Sequence, residues 1–399
     1  MCAMRAVRIH RPQTAAAASA VVAVLLAAVG AAPAAADSVE LPAVRTSLGS
    51  DEPCATASTQ RVETEPWALT SLGARRALTL SEGAGTTVAV VDTGVSEKAS
   101  GLSGRVTALG DAGSDCVGHG TFAAGLIAAA PDADRATGPA GLAPRARILA
   151  VRGTDERGDV TAQLLADAIR QAADEGAEVI YVGRALADGK AVLSAAVAYA
   201  GKKDALVVAP LAPDALAKDR SGQVAKPEPW YWPAAAPGVL AVTDFGPDGK
   251  RPDNAPVVSG ADLAAPGDGV VGIGPAGEGH YIGSGASLAA AHVAGAAAQV
   301  RARYPELSAA EVSRRLTEAA YPAAPPRLDP YAALTAVLPE TSGTMPSPEA
   351  AVVPAAASVE PRNRALVVAA GSAGLVALVV AAALVIPRGR ARGWRAGEN

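Results

Sequence analysis

With 399 residues, half of them apolar, the chain is long enough for one large domain with accessory segments and a substantial core. Two Phe and four Trp rule out an aromatic-rich interior, so Ala, Val and Leu must build the core, which suits close-packed helices on a parallel sheet. A formal charge of -4, with 35 basic and 39 acidic residues spread along the chain, leaves no nucleic-acid footprint.

Residues 1–36 read as an export signal. Arg5, Arg8 and Arg11 precede an apolar run from Ala15 to Ala32, and Ala34-Ala35-Ala36 offers a small-residue cleavage site before Asp37. An uncleaved anchor is the competing reading of the same run. Export would place the rest of the chain in an oxidising compartment. Cys2 would leave with the signal, so Cys54 and Cys116 remain as an even pair. A disulfide between them is expected to close a loop of about 60 residues, contributing about 4 kcal/mol on the loop-entropy account. Two separate buried thiols are the alternative. Residues 37–82 form an N-terminal extension ahead of a single domain over 83–338.

The first strong element of that domain is Thr87-Val88-Ala89-Val90-Val91-Asp92-Thr93-Gly94, a continuous apolar run closed by an acid and a turn glycine. It predicts a buried parallel strand with Asp92 at its carboxyl end, where open α/β sheets place their sites. Next comes Gly118-His119-Gly120-Thr121, a histidine between glycines at the start of an apolar helical run from Phe122. Glycines there let backbone approach the ring closely. Strand-like runs follow at Ile148–Val151, Val179–Val182, Leu206–Ala209 and Val239–Val242, with helical patterns at Thr161–Glu175 and Ala191–Lys202 between them. Strand and helix alternate, which predicts a doubly wound, mostly parallel sheet in three layers.

Further on, Gly285-Ala286-Ser287 opens a small-residue helix that runs through Leu288, Val293 and Val300 to Tyr304-Pro305. A serine at a helix N-terminus lies in the positive end of the dipole, which favours negative charge developing beside it. An ordinary serine N-cap on a buried helix fits these residues alone equally well. Histidine supply helps to decide. Beyond the signal only His119, His280 and His292 remain. His119 is the one set at a helix start with an acid at a neighbouring strand end; His292 reads as a packed helix residue and His280 as a loop or strand-edge side chain.

The chain ends with three segments. Residues 339–364 form a Pro/Ala-rich tether. Ala365 to Ile386 gives 22 uncharged residues, long enough as a helix to cross a bilayer core. Arg388, Arg390, Arg392 and Arg395 follow, against Arg362 and Arg364 before it. Positive charge stays inside, so residues 387–399 are expected to be cytoplasmic and the domain extracytoplasmic on a cell membrane.

Three blocks, Val91-Asp92-Thr93-Gly94, Gly118-His119-Gly120-Thr121 and Gly285-Ala286-Ser287-Leu288-Ala289-Ala290, occur in the order Asp, His, Ser, and on them the chain resembles the subtilisin-like serine proteases, or subtilases. Leu263-Ala264-Ala265-Pro266-Gly267 and Leu328-Asp329-Pro330-Tyr331 extend the match. Within that family it is most similar to the mycosins, membrane-anchored subtilases of type VII secretion systems, through Pro66-Trp67, Leu72-Gly73, Asp115-Cys116 and Tyr231-Trp232-Pro233. The resemblance implies a subtilisin-type fold and a polypeptide substrate. It also implies a triad in which Ser287 attacks a carbonyl, His119 moves the proton and Asp92 steadies the imidazole. No cofactor is expected, and no loop carries clustered carboxylates at calcium-ligand spacing, so no metal is expected either. A type VII secretion complex as partner rests on the resemblance alone.

Departures from the family gather beside the triad. Where the strand matching Leu206–Ala209 would continue to Gly-Asn, whose amide is an oxyanion donor, the chain runs Pro210-Leu211-Ala212-Pro213-Asp214, which places Pro213 at the amide's position. Asn254, Asn363 and Asn399 are the only asparagines, and none falls where the family needs one. The backbone N–H of Ser287 is expected to remain as a donor, with Gln223 a candidate substitute for the amide. Two readings stay open: a slow or selective membrane-anchored endopeptidase, and a non-catalytic subtilase module bracing a secretion complex.

Overall fold

A computed structural model describes residues 39–131, 138–216, 221–253, 255–338 and 360–393. The expected signal, Asn254, Asn399 and most of the tether lie outside the described residues. Residues up to Leu338 form one unit, and the chain from Pro339 forms a second.

Seven strands make the main sheet of the first unit: β1 (Thr87–Asp92), β2 (Val106–Ala108), β3 (Arg147–Arg152), β4 (Val179–Val182), β5 (Leu206–Pro210), β6 (Val239–Phe245) and β7 (Leu263–Pro266). Their order is β2-β3-β1-β4-β5-β6-β7, and every pairing is parallel. The apolar run of β1 is continuous because both faces are covered. Val88 and Val90 pack into one core with α3 (His119–Ala128) and α6 (Ala286–Arg303). Ala89 and Val91, pointing the other way, join a second core with α4 (Ala162–Asp174) and α5 (Lys190–Lys202). Helices above and below the sheet give the three layers that the strand and helix alternation predicts.

β1 is central, with β3 on one side and β4 on the other. After β1 the chain builds outward to β2 and β3, then crosses back past β1 to β4. The carboxyl ends of β1, β4 and β5 therefore open onto a topological switch point, where doubly wound sheets bind ligands. A separate antiparallel pair, β8 (Val270–Ile273) and β9 (His280–Gly283), carries the chain into α6.

Residues before β1 are fastened to this frame. Short helices α1 (Trp67–Ser71) and α2 (Ala74–Leu78) pack Ala68, Leu69 and Ala77 into the first core. Ahead of them, Val44 N–H donates to the Ile282 carbonyl at 2.8 Å and Ile282 N–H to the Pro42 carbonyl at 3.0 Å, which adds the extension as a short strand beside β9. Leu48 N–H donates to the Arg157 carbonyl at 2.9 Å. Cys54 and Cys116 form a disulfide with a Cα–Cα distance of 4.5 Å, the pairing the sequence predicts.

α6 is buried along every residue from Ala286 to Arg301. The helix is enclosed on all sides, between the sheet and α3, which is why its chain is so rich in Ala and Gly. Beyond it lie α7 (Ala309–Glu318), opened by a capping box of Ser308 and Glu311, and α8 (Pro330–Thr335), capped by Asp329. The second unit is α9 (Glu360–Ala391), whose Asn363–Ala391 stretch is long and apolar enough to cross a membrane.

Candidate active site

Asp92 ends β1, His119 begins α3 and Ser287 is the second residue of α6, so three separate elements bring the three predicted residues to one place. His119 Nδ1 lies 2.8 Å from Asp92 Oδ2, and His119 Nε2 lies 3.1 Å from Ser287 Oγ. The turn holding His119 is organised by the buried Asp115. Its Oδ1 accepts from Gly118 N–H and Thr93 Oγ1–H, each at 2.8 Å. Its Oδ2 accepts from Thr121 N–H at 2.8 Å and Thr121 Oγ1–H at 2.7 Å. Asp115 thus caps α3 from outside the helix and clamps the β1 end to it. The sequence signal was present, an acid three residues before a helix opening on glycine, yet only the fold reveals its four donors.

Asp92 is held as a carboxylate. Burial pushes it up, but the His119 and Arg184 charges and hydrogen bonds from His119 and Thr93 N–H outweigh this and take it down to about 2. Arg184 Nη2 stands 3.6 Å from Asp92 Oδ1, and Tyr181 Oη–H points at Asp92 Oδ2 from 3.4 Å. Tyr181 comes from β4 and Arg184 from the turn just after it. Gly183, between them, leaves the carboxylate its room: a Cβ built there would lie 1.8 Å from Asp92 Oδ2. His119 moves the opposite way. Burial opposes its charge, but the Asp92 carboxylate, Asp214 and the bond to Asp92 raise it to about 9, against Arg184.

The residue that sequence reasoning passed over is Asp214. Pro213 lines a neighbouring cavity with Arg184 and Thr46, and the side chain that reaches the serine comes from the next residue. Asp214 Oδ1 accepts from Ser287 N–H at 2.9 Å, and Oδ2 accepts from Ser287 Oγ–H at 2.6 Å. Oδ2 also stands 3.6 Å from His119 Nε2. The backbone donor expected of Ser287 is therefore present and engaged by a carboxylate, which a helix N-terminus and an adjacent imidazole both favour. Gly285 makes the approach possible, since a Cβ there would sit 2.1 Å from Asp214 Cγ. Aspartate and asparagine have the same outline, so the loop Pro210-Leu211-Ala212-Pro213-Asp214 brings the amide's isostere to Ser287 one residue later than its spacing predicts.

Solvent hardly reaches these groups: Ser287 and His119 are each 1 % exposed and the Asp214 side chain 8 %. The extension contributes to the enclosure. Arg184 Nη2 donates to the Thr46 carbonyl, and Val44, Arg45, Thr46 and Ser47 line a cavity with Asp214 and Gly285. Gln223 is exposed. His292 on α6 is buried and holds the Pro266 carbonyl through Nδ1–H at 2.9 Å, while His280 Nδ1 accepts from Val62 N–H at 2.8 Å. Neither enters the site's hydrogen-bonded line.

An acid, an imidazole and a hydroxyl in that line, at the carboxyl ends of parallel strands, have the arrangement of a serine hydrolase on a doubly wound sheet. The subtilase family model matches residues 83–349, and the chain belongs to that family. It is 33 % identical over 392 aligned residues to Mycosin-3 of Mycobacterium tuberculosis, covering 80 % of this chain and 84 % of that one. Thermitase of Thermoactinomyces vulgaris is 36 % identical over 226 residues, covering 55 % of this chain and 76 % of thermitase. Among solved structures, a chain of the periplasmic assembly from the ESX-5 inner membrane complex superposes with a TM-score of 0.60 at 27 % identity, covering 80 % of this chain and all of that one. The protein is a subtilase-family serine protease related to the mycosins of type VII secretion systems.

Proposed function

We propose that the chain is a membrane-anchored, extracytoplasmic serine endopeptidase in which Ser287 is the nucleophile, His119 the general base and Asp92 the group that orients and stabilises the imidazolium. The observation that carries this is the unbroken line from Asp92 Oδ2 through the His119 ring to Ser287 Oγ, with distances of 2.8 and 3.1 Å. Residues 37–82 are then an extension that travels with the peptidase domain of 83–338, and 339–364 a tether. Residues 365–386 are the span, and 387–399 a cytoplasmic tail. Its substrate is a polypeptide, and its turnover is slow because the family's amide donor is replaced by an acid.

The test is covalent labelling of the full-length, detergent-solubilised chain with an alkyl fluorophosphonate reporter, which requires an activated serine. Labelling is expected in the unaltered chain and absent in Ser287→Ala. An unlabelled, folded chain that stays unlabelled with an amide at position 214 would overturn the peptidase reading.

Two observations favour a second reading. The carboxylate on Ser287 N–H occupies the place of a developing oxyanion, and the similarity to a chain of a periplasmic secretion assembly suits a component whose value is structural. On that reading the domain binds a type VII secretion complex without turnover, and Ser287→Ala leaves assembly and secretion unchanged.

A further inference from the structure

Ser287 Oγ lies between two groups that compete for protons. His119 Nε2 is 3.1 Å away, Asp214 Oδ2 is 2.6 Å away, and these two are 3.6 Å from each other. One mobile proton therefore has two homes. With it on Nε2, the imidazolium donates to Oγ, and the serine hydroxyl donates to Oδ2. The nucleophile's own hydrogen then points away from its base, and a carboxylate fills the position where an acyl-transfer intermediate would place its oxyanion. With the proton on Oδ2, the carboxyl donates towards Oγ, and the hydroxyl donates to a neutral Nε2. The two forms have the same atoms and the same net charge. They interconvert when Oγ passes its hydrogen to Oδ2 and receives the one from Nε2.

We infer that Asp214 is a catalytic residue of this site, and that Ser287 attacks only from the tautomer in which Asp214, not His119, holds the shared proton. The inference rests on the peptidase reading above. In that tautomer Nε2 is free to take the serine proton, and the acid at 214 is a donor where the family has an amide. In the other, the base is occupied and a negative charge blocks the oxyanion position. Among the described residues the charged and titratable groups around Asp214 come from several elements. His119 faces it from α3, backed by Asp92 of β1. From β4 and the turn after it come Tyr181, kept a neutral phenol by burial and the Asp92 and Asp214 charges, and Arg184. Arg45 of the extension, Asp244 of β6 and Asp268 line the adjoining cavity. Burial raises Asp244, and the charges of Asp214 and Asp268 add to that rise.

A distinctive pH dependence follows. The pair attacks while it shares one proton; losing that proton leaves a free base beside a bare carboxylate. Since His119 is raised to about 9, activity should fall as pH rises through that region. A subtilase with an amide at the position should behave oppositely, gaining activity as its imidazole deprotonates and then holding a plateau.

Fluorophosphonate labelling rates between pH 6 and 10.5 on the full-length solubilised chain test this. In that reaction Ser287 Oγ bonds to phosphorus, fluoride leaves and His119 takes the hydroxyl proton, so the probe needs the same base and donor as peptide cleavage. The unaltered chain is expected to lose rate above about pH 9, whereas Asp214→Asn should gain rate with pH and react about 10²-fold faster at pH 8. Asp214→Ala removes the carboxylate without supplying a donor, so it should share the rising profile of Asp214→Asn at a lower rate. An alkaline fall that persists in both variants, or a rising profile in the unaltered chain, would overturn the inference while leaving the peptidase intact. Folded chains that label in none of the three forms would overturn both.

Discussion

Asp115 shows how much of the site depends on a residue that touches no substrate. Four donors from three residues converge on its carboxylate. Asp115→Ala would leave them buried without an acceptor and cost about 3 to 5 kcal/mol, together with the placement of His119. Thermal denaturation should show the loss, and labelling of the protein that remains folded should be slower. The two buried histidines give stability opposite slopes. Burial takes His292 down to about 4 from an ordinary 6.5. Unfolding therefore takes up a proton between those values, and the stability present above pH 6.5 is lost as pH falls towards 4. A shift of that size corresponds to about 3 kcal/mol. His119, raised to about 9, contributes stability that is complete below pH 6.5 and lost as pH rises through 9. Asp92, taken down to about 2, loses its contribution only below pH 3.8 and so leaves this window flat. Urea midpoints measured from pH 4.5 to 9.5 should peak near 6.5, and His292→Gln should flatten the acid side alone.

At the level of elements, α6 has no tolerance for bulk. Ala290, Ala294 and Ala297 are fully buried against the sheet and α3. Ala294→Leu would insert three carbons into that contact and cost about 1 to 3 kcal/mol or more, visible as a lower melting temperature. By contrast Ser308→Ala, which removes one arm of the capping box of α7, should cost only about 1 kcal/mol in the same measurement. These elements also show what a sequence can express. β1, β3, β4, β5 and β6 were legible because strands buried on both faces are continuous apolar runs, and α4 because its apolar residues recur at helical spacing. β2, with three residues and none fully buried, has too little pattern to register. The bridge from Ile282 of β9 to residues 42–44 escaped notice because it joins positions more than 200 residues apart. Asp92, His119 and Ser287 were legible because each closes or opens an element beside glycines. Asp214 was not, since it lies in a loop whose one-residue displacement no local pattern records.

For the whole molecule, the arginines at 388, 390, 392 and 395 set the expected orientation of the second unit. Protease shaving of intact cells should digest an epitope in the domain and spare a tag placed after Asn399; a digested tag would reverse the orientation. Loss of the Cys54–Cys116 bond by paired substitution to Ser should cost about 4 kcal/mol, read from urea midpoints. The position of that bond also governs what limited cleavage can set free. A cut anywhere between residues 55 and 115 leaves both pieces joined through sulfur, with the histidine turn three residues beyond the bond still in place. A cut before residue 54 is different in kind. It releases the segment that runs past Ile282, Arg184 and Arg157, and with it the part of the chain that lines the cavity beside Asp214. Nicked forms of the protein should therefore divide into two populations on a non-reducing gel, one of full apparent mass and one shorter, and only the shorter has shed its cover.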